Sequence, residues 1–170
     1  MDIQMERVHD VTPATMDRAM KGLFALGMAA ERCDLERSLQ ELVKIRASQI
    51  NGCAMCLDMH SKDARARGET EQRLYLIPAW RESPNIFSAR ERAALAWTEA
   101  VTLVADGHVP DAVYDEVRQE FGDDELVSLT LLVAAINAYN RLNVGLRTVP
   151  GFYQPGMFAA RDAEPEPAIA

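Results

Sequence analysis

The chain has 170 residues, 48% of them hydrophobic, and a formal net charge of −8 at pH 7. That length suits one domain with a substantial core; the acidic balance argues against nucleic acid, which wants a basic face; and no apolar run reaches the roughly 18 residues of a bilayer span. The polar start MDIQMERVHD lacks a secretory leader's basic start and apolar core, and three cysteines are too few and too odd for a disulfide framework, so a cytoplasmic location is expected.

The apolar period is helical almost throughout. Thr12-Pro13 reads as an N-cap followed by proline at the first helical position, opening a helix with Met16, Met20, Leu23, Phe24, Gly27 and Met28 inward, which fades near Cys33. Asp34 is the expected cap of a second helix, with Leu35, Leu39, Leu42, Val43 and Ile50 as its buried face. Glu41 falls beside that stripe with Ser38, Ile45 and Ser48. Asn51-Gly52 is a turn signal, expected to open a third helix that closes at Gly68. Thr70 starts a shorter helix through Leu74, Tyr75 and Ile77, which Pro78 must kink or end.

After a Ser83-Pro84-Asn85 loop, Ser88 and Glu91 form a capping box, the clearest helix start in the chain. The helix it opens holds Ala94, Leu95, Trp97, Val101 and Val104, and is expected to run to Gly107. Pro110 restarts a helix with Val113, Val117 and Phe121 inward, stopped by Gly122. Asp123 or Asp124 then caps the most apolar segment, whose Leu129, Leu132, Val133, Ile136 and Tyr139 suit the central helix. No segment alternates convincingly with period 2. The expectation is an all-α domain of about six to seven helices over residues 1–150, with 151–170 as an extended or disordered tail rich in Pro, Gly, Glu and Ala.

The chemistry concentrates between Glu41 and Gly68, in ELVKIRASQINGCAMCLDMHSKDARARG. Cys53, Cys56, His60, Ala64 and Arg67 lie at offsets of three, four and seven residues and so share one helical face. Helix N-terminal amides and a nearby imidazolium favour a thiolate, the species that attacks peroxides and disulfides. A second thiol three residues away can displace the resulting sulfenic acid as water. A histidine on that face can relay protons, and a carboxylate can fix its tautomer or accept the proton.

Taken singly, these residues have blander readings. Cys53, Cys56 and His60 offer three zinc ligands on one helix, but a closed site needs a fourth, and no second CxxC or HxxxH supplies it. Glu41 alone reads more readily as a solvated helix residue, and Cys33 as a small, semi-buried hydrophobe. His9 and His108 lie near expected loops without a visible partner, and Met16, Met20, Met28, Met55 and Met59 read as packing.

The whole pattern is far more specific. Glu41, then Cys53-Ala54-Met55-Cys56, then His60 resembles the core motif of the AhpD-like alkylhydroperoxidases in the carboxymuconolactone decarboxylase superfamily. SARERAALAWTEAVT and INAYNRLNV look like later segments of that family, so the resemblance runs from about Leu35 to about Val144. It implies an all-helical fold that assembles as a homo-oligomer, trimer or hexamer. It also implies a thiol-dependent hydroperoxide reductase with an external dithiol reductant and neither cofactor nor metal. By the same resemblance Cys56 is the peroxidatic thiol, Cys53 the resolving thiol, His60 the proton relay and Glu41 the base. Ala54-Met55 stand where some members carry a further histidine between the cysteines. The helix dipole by itself favours Cys53 as the stabilised thiolate; the spacing to His60 and the family relay favour Cys56. Two other functions compete: a non-redox lactone or decarboxylase enzyme, which has no need of two thiols, and a redox-sensing or metal-binding CxxC module.

Overall fold

Residues 4–158 are described by the computed structural model of this chain. They form α1 (Pro13–Glu31), α2 (Arg37–Asn51), α3 (Ala54–Ala66), α4 (Glu71–Leu76), a 3-10 segment (Ile77–Glu82), α5 (Ala89–Thr102), α6 (Asp111–Arg118) and α7 (Asp123–Leu146). The only extended pairing among the described residues is an isolated antiparallel bridge between Met5 and Thr148. The fold is all-α, as the periodicity and the family resemblance both lead one to expect.

Several boundaries follow from the local chemistry anticipated. Thr12 accepts a hydrogen bond from the Thr15 amide with Pro13 at the first position, Thr70 caps α4, and Ser88 and Glu91 complete a reciprocal capping box on α5. Others differ. Asp34 does not cap α2, whose first turn follows Glu36 without a side-chain cap. The buried Gln40 amide instead donates to the Leu35 carbonyl at 2.9 Å, tying down the preceding turn. Neither Asp123 nor Asp124 caps α7; Gly122 holds that position and donates its amide to the Glu125 carboxylate at 2.9 Å. α5 stops at Thr102 rather than at Gly107, leaving Leu103 and Val104 about half exposed.

α2 is the hub, packed against α3, α5 and α7, while α1 lies along α7 and α6 along α5. Leu39 and Val43 of α2 join Ala94 and Trp97 of α5 and Leu129, Leu132 and Val133 of α7 in the largest core. Leu42 and Ile45 meet Ile77, Trp80, Phe87 and Leu95 in a second. Each such side chain stabilises the fold by roughly 1.5–3 kcal/mol relative to exposure, so the cores, not the caps, set helix position. A polar lock fixes the far end of α2. Asn51 donates to the side-chain oxygens of both Asn137 and Asn140 at 2.9 Å, and Asn140 donates to Ser48 at 3.0 Å.

α1 departs from the expected pattern. Met16, Met20, Leu23, Phe24, Gly27 and Met28 are only half-buried, and Ala30 is the one buried residue of the helix. The reason is an unfilled space beneath it, described below. Where α1 touches α7 the approach is close: a Cβ at Gly27 would sit 3.2 Å from the Tyr139 hydroxyl, which would have to shift by a few tenths of an ångström.

Asn51-Gly52 closes α2 rather than opening α3. Gly52 adopts the left-handed conformation (φ 65°, ψ 33°) and reverses the chain. Cys53 then becomes the N-cap of α3, its sulfur accepting the Cys56 amide at 3.3 Å. Nothing lies within 4 Å of a Cβ placed at Gly52, so a substitution there meets backbone strain alone. Gly52→Ala is expected to lower unfolding free energy by about 1–2 kcal/mol in urea denaturation, the cost of the left-handed well for an L-residue.

Candidate active site on the CxxC helix

α3 carries its chemistry on the face turned toward α2 and α7. Cys56, His60 and Ala64 are buried along that face, one turn apart, and Cys53 is buried at the cap. The stripe read from the sequence is therefore present, with Cys53 at the N-cap, in extended backbone, rather than inside the helix. Cys53 and Cys56 are joined in a disulfide with Cα atoms 5.4 Å apart, and Cys33 is free and partly exposed.

Glu41 of α2 faces the same surface. Glu41 is 5% exposed, and its carboxylate lies 2.9 Å from His60 Nδ1. The second carboxylate oxygen accepts from Arg67 at 2.8 Å and lies 3.6 Å from Lys44 Nζ. Lys44 in turn pairs with Glu31 at the end of α1. Burial alone would raise the Glu41 pKa, but the His60 hydrogen bond, the His60 charge and the Lys44 and Arg67 cations hold it down at about 2. Glu41 is thus an ionised, buried carboxylate clamped to His60. The surface reading of Glu41 fails because α3, folded back by Gly52, covers it.

Beside this pair lies a cavity of about 240 Å³ between α1, α3, α7 and the segment after α7. Its polar wall holds Glu41, His60, Lys44 and Arg67, and its apolar wall includes Phe24, Met28, Met59, Ile136 and Phe158. The half-buried face of α1 is half-buried because it roofs this space.

Residues 151–158 close the cavity's far side, bound to the outer face of α3. Asp58 accepts the Gly151 amide at 2.9 Å, Lys62 donates to the Tyr153 carbonyl at 3.0 Å, and Tyr153 donates to Asp63 at 2.8 Å. The Tyr153 ring, 3% exposed, stacks on Phe158 with centroids 5.5 Å apart. Burial, then the hydrogen bond and charge of Asp63, push the Tyr153 hydroxyl well above the usual phenol range. The remainder of the expected tail, 159–170, lies outside the described residues.

Sequence reasoning did not assign roles to Lys44, Tyr153 or Asn143. Asn143 donates its side-chain amide to Cys56 Sγ at 3.4 Å. Its signal is the run Asn137, Asn140, Asn143, three amides at one-turn spacing on the most apolar helix of the chain. His9 and His108 are not brought to the site, and among the described residues no three His, Cys, Asp or Glu side chains converge so as to hold a metal ion.

Comparison with known proteins agrees with this architecture. Residues 14–100 match the carboxymuconolactone decarboxylase family, and the chain belongs to that family. The uncharacterised protein YdfG of Bacillus subtilis is 41% identical over 127 residues, 75% of this chain and 86% of YdfG. A crystal structure of an Agrobacterium tumefaciens protein of unknown function, proposed to be the antioxidant defence protein AhpD, superposes with a TM-score of 0.79. That protein is 40% identical, over 84% of this chain and 98% of the other. The debrominase Bmp8 shares the fold, with a TM-score of 0.68 at 18% identity over 82% of this chain and 73% of its own. Among the described residues no helix is long and apolar enough to cross a membrane.

The clamp has a pH signature. The folded pKa of Glu41, about 2, lies below its ordinary 4.5. Its stabilisation is therefore complete above about pH 4.5 and lost as the pH falls through about 2. The contribution is on the order of 3 kcal/mol. Urea unfolding followed from pH 6 down to pH 2.5 is expected to show this loss in the wild type, and Glu41→Gln is expected to remove most of the slope.

Proposed function

We propose that this protein is a thiol-dependent hydroperoxide reductase that cycles Cys53 and Cys56 between dithiol and disulfide. The observation that carries the reading is the buried His60–Glu41 hydrogen bond, one helical turn from Cys56 of a disulfide-bonded CxxC pair. In the reduced protein the Cys56 thiol gives its proton toward His60, whose other ring nitrogen is anchored on Glu41. The thiolate attacks the terminal peroxide oxygen, an S–O bond forms, the O–O bond breaks, and the departing alkoxide takes the proton. The Cys53 thiol then attacks the sulfenic sulfur, water leaves, and the disulfide forms. An external dithiol restores both thiols by two exchange steps.

Proximity supports Cys56 as the attacking thiol. It has the Asn143 amide on its sulfur and His60 on the next turn, whereas Cys53 uses its sulfur as the helix cap. The non-redox decarboxylase reading leaves the disulfide without a purpose. The metal-binding reading has no convergent ligand set among the described residues.

Cumene hydroperoxide consumption with dithiothreitol as donor tests the reading. Cys56→Ser is expected to abolish turnover. Cys53→Ser should retain a single turnover and lose recycling by the dithiol. His60→Ala should lower consumption at pH 7 by roughly one to two orders of magnitude, typical of losing a general base. Full turnover by Cys56→Ser would overturn the assignment.

The same reading extends to assembly as a homo-oligomer, a trimer or hexamer. Val127 of α7, at 69% exposure, is an apolar surface such an assembly would cover. Light scattering at micromolar concentration is expected to give a multiple of the 18.9 kDa chain mass; a monomer would contradict it.

A further inference from the structure

A second cavity, also of about 240 Å³, lies on the Cys53 side of the disulfide, with Arg147 and Glu6 at its wall. It shares three lining residues with the first cavity: Met55, Asn143 and Thr148. Cys53 faces the second space and His60 the first, and the amide of Asn143 between them reaches Cys56 Sγ.

Thr148 is held at this junction by its backbone. Arg147 takes the left-handed conformation (φ 55°) that ends α7, which turns the Thr148 amide back onto the Asn143 carbonyl at 2.9 Å. The segment at residues 4–6 pins the same place: Glu6 donates to the Arg147 carbonyl at 3.2 Å and Val149 to the Gln4 carbonyl at 3.0 Å. A left-handed arginine is less favourable than glycine, so this turn is retained at a cost. Yet the side chain that it delivers makes no bond. Thr148 is 7% exposed, and its Oγ1 is the one buried side-chain N or O atom among the described residues without a hydrogen-bond partner. A valine would fill the same volume without leaving a polar atom unsatisfied.

We propose that the Thr148 hydroxyl, with Asn143 beside it, is the subsite that receives the peroxide oxygens of an organic hydroperoxide seated against the apolar wall of the first cavity. The proposal rests on the hydroperoxide reductase reading. Asn143 holds the Cys56 thiolate, which attacks the terminal oxygen. Thr148 donates a hydrogen bond to the alkyl-bearing oxygen as the O–O bond breaks and negative charge gathers there. The proton that converts this alkoxide into the alcohol is the one Cys56 gave up to His60. Thr148 neither gains nor loses a proton overall; it positions the substrate and stabilises the leaving oxygen.

Thr148→Val, an isosteric change, separates this role from a packing role. With cumene hydroperoxide and dithiothreitol, kcat/KM is expected to fall by about tenfold, the equivalent of one lost hydrogen bond. The midpoint of thermal unfolding is expected to rise by about 2–4 °C as the unsatisfied hydroxyl disappears. The pH profile of Cys56 alkylation by iodoacetamide should stay where it is, because Asn143 and His60 are intact. Thr148→Ser, which keeps the hydroxyl, should recover most of the lost kcat/KM, whereas Asn143→Leu should move the alkylation profile to higher pH. Wild-type kcat/KM in Thr148→Val, or a loss of stability in that variant, would overturn the subsite and leave the reductase reading standing. No hydroperoxide consumption by the wild type with any dithiol donor would remove both.

Discussion

A carboxylate that folding takes out of water must be surrounded by groups that replace its hydration. Glu41 meets that condition with an imidazole and two cations. Those partners come from three places: His60 from the middle of α3, Arg67 from its end, and Lys44 from α2 itself. The clamp can form only if α3 runs back along α2 at one register, and Gly52 allows that reversal within a single residue. The same register leaves Cys56 one turn below His60 and facing α7. The position of the thiol is therefore tied to the burial of a charge on the preceding helix. A slip of one residue along α3 would leave an ionised carboxylate buried without its imidazole, a cost of several kcal/mol that the small apolar cluster of Ala47, Met55, Ile136 and Tyr153 around the disulfide could not offset.

That dependence explains what was legible in the sequence and what was not. Local signals were readable because they act over three or four residues. The Ser88–Glu91 box, the Thr12-Pro13 start and the Cys56–His60–Ala64 stripe all stand in the structure as the spacing implies. The caps of α2 and α7 were misread because aspartate preference is a statistical tendency. Burial of Gln40 against Leu35, and the reach of Glu125 to Gly122, outweighed it. Glu41 sat beside the apolar stripe of its own helix, and only contact with α3 makes it buried. Its pairing with His60 was accessible through likeness to a family motif, not through periodicity. Thr148, separated from Cys56 by most of the chain, carried no local mark at all.

α1 and the segment after α7 show a different compromise. A helix with Met16, Met20, Leu23, Phe24 and Met28 on one face ought to press that face into a core. Here the face is held off by Tyr139, which Gly27 admits closely, and by Phe158, whose ring meets Phe24 edge-on at 6.2 Å. A gap of this size forfeits dispersion contacts that a filled core would keep. The fold sustains it through polar ties elsewhere: Asn51 to Asn137 and Asn140 on one side, Tyr153 to Asp63 and Asp58 to Gly151 on the other. Flexible methionines line much of the space, so its shape can adapt to an apolar guest without backbone movement.

The two cavities differ in chemistry, and the difference bears on the proposed redox cycle. The space on the His60 side has the more apolar surroundings, lies against α1 and the final segment, and is lined by His60 and Glu41. The space on the Cys53 side is bordered by Arg147 and Glu6, whose charged side chains are more than half exposed. Thiol–disulfide exchange proceeds in line with the S–S bond, so the sulfur that is attacked and the sulfur that leaves face opposite directions. Attack on Cys53 from the charged side would release Cys56 as a thiolate into the environment of Asn143, where an amide donor already stabilises it. The reverse attack, on Cys56, would release Cys53 at the cap of α3, where its sulfur accepts the Cys56 amide. In the proposed cycle the asymmetry of the four-residue motif, invisible in the symmetrical notation CxxC, would come from α7 and the few residues that follow it.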